Sequence, residues 1–202
     1  LTAVLAGAAL SVSGLLMQTL FRNPLAGPYI LGISAGAGLG VALAILGAGS
    51  SILFLQRIWL NNLMTVGAAA AGAAMVMLIV MLISLRNRDV MTLLILGVLI
   101  GFAVSAIIGL LQYFSKAGQL KLYVIWSMGS LRGMSMHDLK LVIPVVLLGL
   151  ILAWLISRNL NLLLLGEKYA RTMGSHILGT RVIIFVSISL LAGSITAFCG
   201  PI

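Results

Sequence analysis

The sequence predicts an all-α polytopic membrane protein with about six transmembrane helices, and three observations support this prediction. Of its 202 residues, 62% are hydrophobic and only 7% are charged, whereas soluble domains carry roughly 25% charged residues. The mean hydropathy is +1.25. Several apolar segments are long enough, or nearly so, to cross ~30 Å of hydrocarbon at ~1.5 Å per residue. A core in water could not bury this much apolar surface, so lipid is the predicted environment.

The apolar segments are separated by connections of different character. The first connection, Phe21–Pro28, is a tight turn that contains two prolines. Arg86–Asp89 is a short charged turn. The fifth segment is the shortest, and Pro144 near its start is interpreted as a first-turn proline rather than one inside a helix. The predicted spans are Leu1–Leu20, Tyr29–Gly47, Leu63–Leu85, Met91–Phe114, Leu141–Ile156 and Val182–Cys199.

The positive charges are scattered through the connections. The net charge is +9, but the cations form neither a basic stripe nor an aromatic stacking platform, so nucleic-acid binding is not predicted. A bias of cations towards one side sets the orientation of a membrane protein, and the richer side is predicted to be cytoplasmic. That side holds Arg22, Arg86, Arg88, Arg158, Lys168, Arg171 and Arg181, and the other holds Arg57, Lys116, Lys121, Arg132 and Lys140. Trp59 and Trp126 would then lie at the outer interface.

Small residues recur every four positions in four of the predicted spans. Such spacing places them on one helix face and lets helix backbones approach closely within a membrane. The sequence therefore predicts a compact helical bundle. The four stripes are Gly32, Gly36, Gly40 and Ala44; Gly97, Gly101, Ser105 and Gly109; Ala3, Gly7 and Ser11; and Ser189, Gly193 and Ala197.

The residues that would carry chemistry are scarce. The three acidic residues, Asp89, Asp138 and Glu167, are all predicted in connections, which disfavours a proton- or sodium-coupled carrier because such carriers usually bury carboxylates at the midplane. No phosphate-binding loop or metal motif occurs, and His137 and His176 are interpreted as solvated or interfacial. Neither catalysis nor a metal or cofactor is predicted.

Two connections carry more specific signals. After Gln18, prolines and then glycines up to Gly38 permit irregular backbone at membrane depth, which is tolerated where it is buried in protein or lines a cavity. The second connection, 159–176, contains a short amphipathic stretch punctuated by Gly166 and Gly174. Such a stretch suits either docking into a groove of a soluble partner or lying on lipid headgroups.

At these connections the sequence resembles the permease subunits of ABC importers for ferric siderophores, haem and cobalamin, the FecCD-type family. The resemblance spans nearly the whole chain, and its blocks follow the order of the family. The matching blocks are GLLMQTLFRNPLAGPYILGISAGAG at 14–38, LLILGV at 93–98, WSMGSL at 126–131, LNLLLLGEKYARTMG at 160–174 and GPI at 200–202.

The resemblance implies a ten-span permease in the bacterial inner membrane that pairs with a second copy and holds two ATPase subunits. A periplasmic or lipid-anchored binding protein would deliver the substrate, an iron chelate (siderophore or haem) or cobalamin. Residues 1–202 would form a transmembrane permease domain corresponding to the second through seventh spans, without the first span and the last three. ATP hydrolysis would belong to the separate ATPase.

The resemblance also implies roles for particular residues. The 159–176 region matches the cytoplasmic coupling helices of the family, and the stretch Leu165–Gly174 is expected to act as a lever moved by the ATPase. Its candidate coupling residues are Leu165, Gly166, Glu167, Ala170, Arg171 and Gly174. The first and fourth predicted spans correspond to pore-lining spans, and their translocation-pathway candidates are Met17, Gln18, Ser105, Gln112 and Tyr113.

Two alternatives stay open at this level. A helical scaffold without a transport role would recruit no ATPase and support no uptake. A proton-coupled carrier would require buried carboxylates in spans other than these.

Overall fold

A computed structural model describes residues 1–47, 62–86, 90–132 and 134–202, and within these ranges the regular structure is helical. A 3₁₀ turn, Pro28–Leu31, precedes the second helix, and a π-helical stretch, Ser189–Gly193, lies within the last. Predictions for Arg57, Trp59, Arg88 and Asp89 lie outside the described residues. The helices are α1 (Thr2–Phe21), α2 (Ile33–Ile45), α3 (Asn62–Arg86), α4 (Val90–Tyr113), α5 (Ala117–Ser127), α6 (Met136–Leu155), α7 (Ser157–Leu165), α8 (Glu167–Thr172) and α9 (Ile177–Cys199).

The predicted all-α polytopic fold class is confirmed. Among the described residues, α1, α3, α4, α6 and α9 are each long and apolar enough to cross a membrane. Helix α2 is apolar but shorter. Residues 115–140, which separate the fourth and fifth predicted spans, contain helix α5 and the first turn of α6.

The predicted starts of the fifth and sixth spans are wrong, because both placed a charged residue outside the helix. Helix α6 begins at Met136, since the Ser135 hydroxyl accepts a hydrogen bond from the Asp138 backbone N–H and the Asp138 carboxylate accepts one from the Ser135 N–H at 2.9 Å. Asp138 is therefore buried in a first helical turn rather than lying in a connection. Pro144 lies inside α6 rather than in its first turn.

The last span also begins earlier than predicted. Helix α9 starts at Ile177, so Arg181, predicted in a cytoplasmic connection, lies within the helix and is only 2% exposed. His137 likewise lies in a first helical turn, of α6, and its side chain is exposed.

The second span is broken, as the prolines and glycines between 18 and 38 predict. Gly32, with φ +80°, is both the C-cap of the 3₁₀ turn and the N-cap of α2. This left-handed conformation suits glycine because it has no Cβ. Helix α2 then packs mainly on α3 and α4, and most of its residues are buried.

The small-residue stripes behave differently in different helices. A Cβ added at Gly36 of α2 would lie 2.6 Å from the Gly72 carbonyl oxygen of α3, so these two backbones touch. In α4, Gly97 packs on the Pro28–Leu31 turn, but Gly101 and Gly109 have nothing within 4 Å of their Cβ positions. Gly7 of α1 is similarly open. Close approach between backbones therefore occurs along α2 and at Gly97. The other members of the predicted stripes in α1 and α4 are not covered by neighbouring helices.

Long-range contacts define two ends of the bundle. At the Glu167 end, the Arg22 side chain meets the end of α7 and the start of α9 meets α7 and α8. At the Pro201 end, the Ser130 N–H donates to the Cys199 carbonyl at 2.6 Å and the Gln119 amide donates to the Ile45 carbonyl at 3.1 Å. Successive spans run between these ends in alternating directions, as the predicted topology requires.

Candidate functional site

The predicted lever at Leu165–Gly174 comprises the last residue of α7 and all of the short helix α8. Gly166 separates α7 from α8 with φ +124°, and α8 ends at Thr172, before Gly174 at φ +81°. Both glycines adopt backbone angles that residues with a Cβ rarely adopt. Two sharp turns are therefore present, one at Gly166 between α7 and α8 and one at Gly174 after α8.

The side chains of this element divide into packed and exposed groups. Ala170, a predicted coupling residue, is fully buried within the chain, so it supports α8 and does not face a partner. Leu165 is 66% exposed and Arg171 is exposed. Sequence reasoning missed Tyr169 and Met173, each 60% exposed. Tyr169 lies within α8 and Met173 directly follows it, and their four-residue spacing could have indicated that both side chains point outward on the same side.

Glu167 is held by the membrane bundle. Its carboxylate forms an ion pair with the Arg181 guanidinium, which is buried at the start of α9. A buried guanidinium is costly unless it is paired, so this contact accounts for a cation inside an apolar helix. The sequence did not reveal the pair, because the partners lie on different helices separated by the Gly174 turn.

Two further polar contacts hold α7. The Arg22 side chain donates to the Leu163 carbonyl at 2.8 Å, and the Asn159 amide donates to the Thr180 hydroxyl at 3.1 Å. Leu163 lies in the last turn of α7, where a cation is favourable, and its carbonyl also accepts the Gly166 N–H at 3.1 Å. Arg22 reaches it from a left-handed conformation, φ 47°, directly after α1. The element is thus attached to both α1 and α9.

The pathway candidates do not form one cluster. Met17 is fully buried in the core, whereas Gln18, about 100° further around α1, is exposed. Gln18 lies near the Glu167 end, whereas Gln112 and Tyr113 end α4 near the Pro201 end. Tyr113 is exposed and stacks edge-on against Phe114, and Gln112 is half-buried.

Ser105 lies between these ends and lines an open cavity of about 450 Å³. The cavity volume is within the range of small-molecule sites. Its wall combines aromatic rings with small residues from α2, α4 and α5, among them Ser34, Phe102, Tyr123 and Trp126. The Ser105 hydroxyl donates to the Gly101 carbonyl of its own helix at 2.9 Å, which leaves its oxygen able to accept a hydrogen bond.

No cluster of three or more potential metal-ligating His, Cys, Asp or Glu side chains occurs among the described residues. The candidate functional features of the described residues are a surface at the Glu167 end and an open face with a cavity along α4.

Comparison with known proteins identifies the family. The sequence pattern of the FecCD transport family matches residues 1–202. The chain belongs to the FecCD transport family. The resemblance noted in the sequence is thereby confirmed over the full length of the chain, and the chain is a multi-pass membrane protein.

Individual FecCD relatives agree in sequence and in fold. The chain is 36% identical to the vitamin B12 import system permease protein BtuC of Klebsiella pneumoniae over 204 residues, 100% of this chain and 58% of BtuC. It is 36% identical to the hemin transport system permease protein HmuU of Yersinia pestis over 206 residues, 59% of HmuU. A metal-chelate type ABC transporter solved in an inward-facing conformation superposes with a TM-score of 0.85 at 30% identity. This chain covers 61% of that structure.

Proposed function

We propose that the chain forms part of the permease subunit of an ATP-driven importer in the bacterial inner membrane. It would act with two copies of an ABC ATPase, a substrate-binding protein and a second permease copy, and would not catalyse a reaction itself. The carrying observation is the α7–α8 element, a short helical pair exposed at one end of an otherwise apolar bundle. FecCD membership supports the same role.

The surface that would meet the ATPase is formed by Leu165, Tyr169, Arg171 and Met173. Three of these side chains are large, apolar and exposed, and helix faces of this kind dock into grooves of soluble partners. Glu167 and Ala170 would act differently, because Glu167 pairs with Arg181 and Ala170 packs inside the chain. Gly166 and Gly174 would set the angles of the two turns.

The test is retention of the ATPase by the full-length permease. We expect Tyr169→Asp together with Met173→Asp to lower co-purification of the ATPase at least about tenfold, since charges would replace buried apolar contacts. Leu131→Asp, at the Pro201 end, is the matched control and should retain the ATPase. Undiminished ATPase binding and uptake by the double variant would overturn this assignment.

The pathway would follow the uncovered faces of α1 and α4, from Gln18 past Ser105 to Gln112 and Tyr113. In a background with Cys199→Ala, cysteines at Gln18 and Ser105 should react with a water-soluble thiol reagent in at least one state of the transport cycle. Met17→Cys is the buried control. Protection of Ser105→Cys in every state would exclude that position from the pathway.

The substrate class proposed is a metal chelate, haem or cobalamin. BtuC and HmuU, two relatives of similar identity, are named for vitamin B12 and hemin respectively. Uptake by vesicles with the ATPase and binding protein, supplied in turn with cobalamin, haem and a ferric siderophore, discriminates among them. A scaffold would support none of these, and a proton-coupled carrier would respond to a pH gradient without ATP.

A further inference from the structure

The α7–α8 element is attached to two different membrane helices by contacts of unequal strength. On α7, Arg22 donates to the neutral carbonyl of Leu163, and Arg22 itself is exposed to solvent. Asn159 of α7 also donates to a neutral acceptor, the Thr180 hydroxyl of α9. Water can replace such a hydrogen bond at little net cost. On α8, Glu167 pairs with Arg181, which is 2% exposed.

The ion pair restricts how α8 can move. Separating α8 from α9 would take the Glu167 carboxylate away from the buried Arg181 guanidinium, and breaking a buried ion pair by removing one partner is strongly unfavourable. Glu167 is the first residue of α8, so the pair is made where the helix begins and not through a long flexible segment. Helix α8 and the first turns of α9 therefore form one mechanical unit.

The polar contacts of α7 with α1 and α9 are hydrogen bonds to neutral acceptors, which restrict α7 less than the ion pair restricts α8. A pivot separates the two helices. Gly166 lies between the helices in a conformation open to glycine, with only the Arg22 side chain within 4 Å of its Cβ position. A rotation at Gly166 would stretch the weaker Arg22–Leu163 and Asn159–Thr180 contacts and leave the Glu167–Arg181 contact intact.

We infer that the Glu167–Arg181 ion pair is the joint that passes movement of α8 to transmembrane helix α9, with Gly166 as its pivot. This inference rests on the proposed docking of α8 against the ATPase. Helix α9 continues from Arg181 to Cys199, whose carbonyl accepts the Ser130 N–H at the Pro201 end. A push on α8 thus reaches the opposite end of the bundle along one helix.

The experiment measures the number of substrate molecules imported per ATP hydrolysed by the full-length permease, reconstituted with its ATPase and binding protein. Glu167→Gln combined with Arg181→Met removes both charges and leaves no stranded ion, so the fold should persist. We expect the ATPase to be retained and the import ratio to fall at least about tenfold. Arg86→Met removes an exposed cation at the end of α3, outside the α7–α8 element, and should leave the ratio unchanged.

A cross-link separates a mechanical joint from a structural contact. Glu167→Cys with Arg181→Cys, in a Cys199→Ala background, should be uncoupled when reduced and should regain coupling when a short bis-thiosulfonate reagent bridges the two thiols. A bridged complex that folds and binds ATPase but stays uncoupled would overturn the inference. So would a charge-free double variant whose import ratio stays within twofold of the wild type.

Failure of the proposed function gives a different result. A wild-type permease that retains no ATPase and imports none of the three substrates would refute the proposed function before any variant is compared. A wild-type complex that does both, with coupling unaffected by the loss of the ion pair, refutes the joint alone.

Discussion

Helices α2 and α4 carry the same four-residue spacing of small side chains, but the two stripes have different surroundings. In α2 the stripe lies against α3, and the Gly36 and Gly72 backbones are in contact. In α4 only Gly97 is covered, while Gly101 and Gly109 face open space. Small-residue spacing thus permits close approach without requiring it, and it marks either a packed helix pair or a face left free. Four glycine-to-alanine substitutions, three in these two stripes and one in α6, test this difference. Each adds one methyl group.

The largest effect is expected at Gly36. Its new Cβ would meet the Gly72 carbonyl oxygen at 2.6 Å and the Val76 side chain at 2.7 Å. Backbone cannot move aside as a side chain can, so α2 and α3 must separate. We expect Gly36→Ala to lower the free energy of unfolding by about 2–3 kcal/mol, measured by denaturation of the full-length protein in detergent. An unchanged stability would show that the α2–α3 contact is looser than described.

A smaller loss is expected at Gly97. Its Cβ would lie 3.0 Å from the Ile30 carbonyl oxygen and 3.0 Å from the Leu31 Cα. The 3₁₀ turn that carries these atoms is short, so it can yield by a few tenths of an ångström. Gly97→Ala should therefore cost about 1–2 kcal/mol, read from the same unfolding transition. A loss larger than that of Gly36→Ala would reverse the ranking of the two contacts.

A still smaller loss is expected at Gly149 of α6. Here the new Cβ would meet only side-chain atoms, the Leu191 Cγ and Cδ2 at 2.8 Å and the Leu190 Cβ at 3.4 Å. A leucine can change rotamer, so Gly149→Ala should cost about 1 kcal/mol or less. Comparison of melting temperatures with Gly97→Ala checks whether side-chain contacts yield more readily than backbone contacts.

The smallest effect, and one of opposite sign, is expected at Gly101. No atom lies within 4 Å of its Cβ position, and alanine loses less chain entropy on folding than glycine. Gly101→Ala should raise the free energy of unfolding by about 0.5 kcal/mol. A clear destabilisation in the full-length protein would mean that another part of the protein covers this face of α4.

The sequence predicted the helical spans well but placed their ends poorly where charges are involved. Asp138 and Arg181 were both excluded from spans because an apolar window stops at a charge. In the structure each lies inside a helix, because Asp138 completes a cap with Ser135 and Arg181 pairs with Glu167. The cap could have been recognised from the Ser-x-x-Asp spacing, since it is local.

The site was predictable to a similar extent. The sequence located the glycine turns at Gly166 and Gly174, and the coupling role of the 159–176 region stays a prediction. The burial of Ala170 and the partnership of Glu167 depend on how α8 lies on α9, which no local pattern records. For the same reason Met17 and Gln18, adjacent in the sequence, could not be divided into a core residue and an exposed one before α1 had neighbours.

The π-helical stretch Ser189–Gly193 within α9 affects the angular phase of that helix. An α-helix turns about 100° per residue, and a π turn holds more residues than an α turn. The segment Ser194–Cys199 is therefore rotated, relative to the Arg181 end, from where an unbroken α-helix would put it. Conversion of this stretch to α-helix would swing Thr196 and Cys199 around the helix axis without lengthening the contact at Arg181. The angle about the helix axis between Arg181 and Cys199 therefore depends on this π-helical stretch.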